Sequence, residues 1–404
     1  LEIGAQIELI LKESASITNF GLLLDLRLDM EVGPGNSKVP YRGPTLAQEL
    51  RTRLAEESNQ KAFPILLWSI NTNFAKSFKR DDTSHDLFDA VYGKDAEIND
   101  YPSLVAQQMC SLALGYSRIN DAQANETLNV SLLGLSQKQE SASTSAFIDY
   151  FNFIIQNRAK HEVALHLMSD LIKPAGLLVS EKLLAARFGV DIDECSDAWK
   201  SMKESLAHAK YSGPFGDAWP RWWWFTVENW WNSLTERPAN LRRIGAVERV
   251  KFLNDRLKLK LVAAKPIEDG YSTKFFTLCF ATDKPLDPTD ALRIATPMIK
   301  PWEDTSFVSI HAALKRLQRE KWRLDPLEAD RFAELKGQIL WRKRQKPNPK
   351  QFGSAYRMNL SRQIEFLIKI NLAYSIIQKS FQRRQINVSS AARQNGTMRS
   401  QSQC

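Results

Sequence analysis

The chain has 404 residues, 43% of them hydrophobic and 25% charged, with a formal net charge of +9. That length exceeds the roughly 100 to 200 residues of one domain, and the composition lies near globular averages, so two or three packed units are expected and a wholly disordered chain is excluded. The four scattered cysteines, Cys110, Cys195, Cys279 and Cys404, make no CxxC pair, which argues against a disulfide framework or a zinc cluster and fits a reducing cytoplasm.

No apolar run reaches the roughly 18 residues of a membrane span, so no membrane partner is expected. Leu1 stands inside an amphipathic pattern, Ile3, Ile7, Ile10 and Leu11, that predicts a helix already under way and a chain that continues upstream. Residues 20–25 form a short apolar run ending in Asp25, the signature of a buried parallel strand. A Gly- and Pro-rich loop over 31–44 follows, then a helical period from Thr45 and a second strand, 63–69, ending in Ser69. Another helix is expected over 73–89. A third strand, Ala90-Val91-Tyr92, leads into Gly93-Lys94, and a further helix spans 101–119. The carboxylate run from Arg80 to Asp86 reads as a helix start rather than a metal site.

Strands alternating with helices predict a doubly wound parallel sheet with its ligand site at the carboxyl ends of the strands. Asp25, Ser69 and Lys94 stand at three successive ends. A carboxylate there can act as a nucleophile towards phosphorus, while a hydroxyl and an ammonium hold the transferred oxygens. Here the first quarter of the chain resembles the receiver domain of response regulators, with a flavodoxin-like α/β fold. The resemblance implies that Asp25 is the phosphoacceptor, Ser69 the switch hydroxyl and Lys94 the phosphate counter-ion, with a histidine kinase as partner. The chain departs from that family in its loop: the family's Asp-x-x-x-Pro is here Asp25-Leu-Arg-Leu-Asp29, and the following Gly is delayed to Gly43. The family's metal-binding acidic pair has no counterpart. Mg²⁺ is therefore expected only if the full-length protein carries that pair upstream; otherwise the receiver is degenerate and needs no cofactor.

Residues 121–145 turn polar and small, as a linker does. The aromatic-rich stretch 146–171 predicts one long helix or two, with a buried face and a possible dimer face. His161 and His166 are five apart and diverge around a helix, so they do not pair on a metal. Residues 180–190 resemble the first helix and turn of a helix-turn-helix, followed by a helix over 197–209 that offers Lys200, Lys203 and Lys210 to nucleic acid. Six of the eleven tryptophans fall within 219–231. Trp222, Trp223, Trp230 and Trp231 cannot share one helical face. They either fill a core or expose an aromatic patch beside Arg221 for a partner.

A helix over 249–261 and a strand over 275–282 predict a small α+β region, with 259–264 as the strand's partner. Cys279 reads as a buried, inert thiol, and His311 opens a helix over 312–317. The basic runs 341–344 and 382–384 supply much of the excess charge, and the end from about residue 387 has a disordered composition.

The expected division is thus a receiver-like α/β domain, incomplete at its start (1–120), a linker (121–145), a mostly helical Trp-rich domain (146–245), a smaller α+β region (246–340) and a basic tail (341–404). No catalytic output signature is present. Three functions remain. One is a cytoplasmic, bacterial two-component signalling protein relaying to an effector region; the second is a nucleic-acid-binding regulator that uses a degenerate receiver as a scaffold; the third is an enzyme whose signature the sequence does not display.

Overall fold

A computed structural model of the protein describes residues 2–30, 39–57, 60–69, 87–93, 102–125, 128–135, 142–234, 240–296 and 298–345. The chain divides into two compact units, Leu1–Asp330 and Arg331–Cys404.

The first unit opens with helix α1 (Ile3–Ser16), whose Ile7 and Leu11 are buried one turn apart. Strand β1 (Leu22–Asp25), helix α2 (Gly43–Glu56), strand β2 (Ile65–Ser69) and strand β3 (Ala90–Gly93) follow. The three strands form one parallel sheet in the order β1-β2-β3, with Leu24 opposite Leu67 and Leu67 opposite Val91. Parallel neighbours require a crossover, and α2 supplies the one between β1 and β2. Of the helix expected over 73–89, residues 73–86 lie outside the described residues, as does the Arg80–Asp86 run.

Side chains alternate across the sheet with a period of two, so β2 feeds two cores at once. Ile65 and Leu67 point to the face covered by α1 and α2, where they join Ile7, Leu11, Leu46, Leu50 and Leu54. Leu66 and Tyr92 point to the opposite face, which is covered by helix α3 (Pro102–Ala124) through Val105, Leu112, Tyr116 and Ile119. Burial on both faces explains why β2 reads as an unbroken apolar run. Leu67 is fully buried, and its removal from water stabilises the fold by about 2 kcal/mol.

That second core continues without a break into the next helices. Phe147, Phe151 and Ile154 on α4 (Ala142–Asn157) and Val163, Ala164 and Leu167 on α5 (Lys160–Leu167) belong to the same cluster as Leu66 and Tyr92. The stretch expected as one helix or two is two, and α5 runs into a π-helical turn, Met168–Ile172.

Strand β4 (Leu178–Ser180), helix α6 (Glu181–Phe188), helix α7 (Ser196–Ser205) and strand β5 (Arg221–Trp223) come next, with β4 and β5 antiparallel. Helix α8 (Trp224–Ser233) begins where β5 ends, so the tryptophan run is a strand followed by a helix. After α9 (Ala246–Leu257) the ladders are short: β6 (Thr277–Leu278) with β7 (Pro285–Leu286), and β8 (Ala291–Arg293) with β9 (Phe307–Ser309), which leads into α10 (Ile310–Leu314). The expected pairing of 259–264 with the strand at 275–282 is not formed. Instead Ala263 bridges Val190, and Ala264 N–H donates to Gly189 O at 2.8 Å. In the second unit the described residues are helical, within α11 (Ala329–Gln345).

No helix among the described residues is long and apolar enough to cross a membrane.

Candidate functional site

The carboxyl edge of the parallel sheet carries two of the three residues singled out from the sequence. Asp25 closes β1 opposite Trp68, and the next residue of β2, Ser69, lies opposite Gly93. Both therefore stand where adjacent strands end, the position at which open α/β sheets bind ligands. Ser69 is buried and Asp25 half-buried. Lys94 lies outside the described residues.

The chain turns sharply after β1. Arg27 N–H donates to Asp25 Oδ1 at 3.0 Å, a local Asx-type bond. The Arg27 guanidinium then grips Asp29 in two places, Nε to Oδ1 at 2.8 Å and Nη2 to Oδ2 at 3.3 Å. Arg42 Nε approaches Asp29 Oδ2 at 3.7 Å. Hydrogen bonding to Arg27 holds the Asp29 carboxyl below its ordinary range and raises Arg27 in turn. Arg42 immediately precedes α2, and Gly43 begins it. A Cβ on Gly43 would lie 2.4 Å from Asp25 O, so only glycine lets α2 start against the end of β1.

Asp29, the carboxylate nearest Asp25 in sequence, is engaged by two arginines. Among the described residues no group of three or more His, Cys, Asp or Glu side chains converges.

The tryptophans lie elsewhere. Trp222, Trp223 and Trp231 are 3%, 2% and 3% exposed, so they fill cores and present no aromatic patch. Trp222 and Trp223 belong to β5, opposite Val179 and Leu178. Trp231 packs on Phe252 at 5.0 Å, and the half-buried Trp230 meets Phe188 edge-on at 5.9 Å. The strand-to-helix change at Trp224 is what lets so many rings be buried, since strand and helix present their side chains with different periods.

Helices α6 and α7 do form a two-helix unit. Ser180 caps α6 through Leu183 N–H at 3.3 Å, Gly189 ends it at φ 75°, and Glu181 Oε1 accepts from Trp199 Nε1 at 2.8 Å and Lys203 Nζ at 2.7 Å. The exposed face of α7 bears Asp197, Lys200 and Glu204, two acids to one base. Phosphate backbones are attracted by the opposite balance.

The densest polar network escaped the sequence reading. Asp170, on the π-helical turn, receives Tyr150 Oη at 2.5 Å, His166 Nδ1 at 2.8 Å and Lys300 Nζ at 2.5 Å on one oxygen, and Ser169 Oγ at 2.8 Å on the other. Burial alone would raise this carboxyl, but the bonds from His166, Lys300, Tyr150 and Ser169 outweigh it and hold it well below the ordinary carboxylate range. Trp302 Nε1 adds a bond to Asp170 O at 2.9 Å. The i, i+4 spacing of His166 and Asp170 was the available signal; Tyr150 and Lys300 lie 150 residues apart. His161, by contrast, is pushed down to about 4 by burial, beside Arg51.

A cleft of about 470 Å³ lies among Arg242, Lys274, Phe276, Asp304 and Phe307. The buried Arg187 guanidinium pairs with Asp304 there and lies 4.3 Å from the Trp224 ring centroid and 4.0 Å from that of Phe276.

The chain matches no protein-family model, no curated protein and no solved structure.

Proposed function

We propose that the protein is a two-component-type signalling protein in which a receiver-like, flavodoxin-like module accepts a phosphoryl group on Asp25 and an effector region reads the change. One observation carries this reading: Asp25 and Ser69 stand at the carboxyl ends of adjacent parallel strands, with the start of α2 packed against the first of them.

In the proposed reaction a carboxylate oxygen of Asp25 attacks the phosphorus of a phosphohistidine or an acyl phosphate. The new O–P bond replaces the old bond to the imidazole or acyl leaving group, which departs with its electron pair. Ser69 serves as the hydroxyl that turns towards the phosphoryl oxygens and Lys94 as their counter-ion. For a phosphohistidine donor the partner is a histidine kinase or another signalling protein, and the reaction belongs in the cytoplasm.

The unbroken core from Leu66 to Phe147 and Val163 supports a mechanical route from the sheet to the effector region. The alternative, a nucleic-acid-binding regulator with a degenerate receiver, draws on the α6–α7 unit, with Lys200 and Lys210 exposed and Lys203 paired with Glu181.

The test is acetyl phosphate treatment of the whole chain and of Asp25→Asn, read by intact mass, with small-angle scattering of both. The expected outcome is a single phosphoryl adduct that is absent from the variant and accompanied by a change in scattering. An unmodified wild-type chain, or an equal adduct on Asp25→Asn, removes Asp25 from the mechanism.

A further inference from the structure

We propose that Arg27 and Arg42 are the cations that receive a phosphoryl group at Asp25, and that Asp29 occupies them in the unmodified protein as an internal stand-in for that group. This inference rests on the reading of Asp25 as phosphoacceptor and assigns the regulation of the same edge.

The geometry supplies the argument. A phosphoryl group brings nearly two negative charges and three acceptor oxygens, and it needs fixed donors close by. Arg27 is two residues from Asp25 and tied to it through its own N–H. Its side chain already presents a two-point fork to a carboxylate, the geometry that also suits phosphate. Arg42 leads into α2, whose first residue abuts Asp25 O, so its backbone is held at the same edge. The two guanidiniums converge on a single anion, Asp29, which stands four residues after Asp25.

The side chains of Arg27, Asp29 and Arg42 are 37%, 26% and 56% exposed, so each can move without unpacking the core. Asp29 offers one negative charge and a phosphoryl group nearly two. The arginines therefore exchange partners when Asp25 is modified, and Asp29, between β1 and α2, is released. In this scheme the arginines supply positive charge to the phosphoryl oxygens.

The experiment compares the initial rate of phosphoryl transfer from acetyl phosphate, by intact mass and at fixed ionic strength, in the whole wild-type chain, Asp29→Asn, Arg27→Gln/Arg42→Gln and Asp25→Asn. Circular dichroism checks that each variant is folded, and Arg27→Lys/Arg42→Lys serves as a charge-preserving second variant. Asp29→Asn is expected to label about fivefold faster, because its arginines are no longer competed for, and the double Gln variant about tenfold slower, with partial recovery in the double Lys variant.

If the wild type labels at Asp25 but Asp29→Asn and the double Gln variant stay within about twofold of it, a change of less than about 0.4 kcal/mol, the exchange is overturned while the phosphoacceptor reading stands. If neither the wild type nor Asp29→Asn labels at Asp25, both fall. Labelling seen only in Asp29→Asn supports both and identifies Asp29 as an inhibitory latch.

Discussion

Arg51 and Asp89 form an ion pair at 2.7 Å with side chains only 4% and 7% exposed. Asp89 also accepts from Ile65 N–H at 2.8 Å and Tyr116 Oη at 2.6 Å, while Arg51 reaches Phe63 O at 3.1 Å. The pair therefore clips α2, α3 and the starts of β2 and β3 together, at the end of the sheet opposite Asp25. Removing one partner leaves the other charge buried, so Arg51→Met or Asp89→Leu should each cost about 3 to 5 kcal/mol in urea unfolding. The double variant should recover much of that loss, since neither charge then remains. Equal losses in all three would refute the pairing argument.

Asp170 makes a second residue-scale case, read through its pH dependence. Its folded carboxyl titrates below the unfolded value of about 3.9, so its contribution is fully present above about pH 4 and is lost as pH falls through the lowered folded value. The stability gap between wild type and Asp170→Asn should be widest near neutrality and narrow progressively as pH falls below about 4. A gap that does not change with pH would mean that ionisation of Asp170 contributes nothing.

Elements meet at positions where local conformation and packing make the same demand. Gly189 ends α6 in the left-handed region, and a Cβ there would lie 2.6 Å from Ala246 at the start of α9. Gly189→Ala therefore meets both backbone strain and a clash, and should lower stability by about 1 to 3 kcal/mol. A thermal shift of less than a degree would show that α9 moves aside freely. The end of α6 at Gly189 was readable because capping and C-terminal glycine are local signals. The pairing of 259–264 was not, because a two- or three-residue ladder carries no periodicity to distinguish one partner strand from another. The tryptophan segment left core and exposed patch both open for a related reason: a change of period within thirteen residues cannot be read from either template alone.

Across the first unit, one cluster joins Leu66 of the sheet, Tyr116 of α3, Phe147 of α4, Leu171 of the π-helical turn and Trp223 of β5. Cooperative unfolding follows when apolar surface is shared in this way. Residues up to about 330 are expected to unfold in one transition, with tryptophan fluorescence and far-ultraviolet circular dichroism coincident in urea. Two separated transitions would mean that the sheet and the helical region are stable independently.

The sequence by itself determined the three parallel strands, helix α2 between the first two, helix α3 after the third, and the placing of Asp25 and Ser69 at strand ends. Those follow from hydrophobic period, run length and turn residues, all of which act over a few positions. Only the tertiary structure decided that Arg27 and Arg42 converge on Asp29, that Asp89 is neutralised by Arg51, that Asp170 gathers Tyr150 and Lys300, and that Trp222, Trp223 and Trp231 are core. The physical reason is distance along the chain. A buried charge or ring is stabilised by whichever group the fold brings to it, and residues 38 or 150 positions apart leave no mark on each other's local pattern.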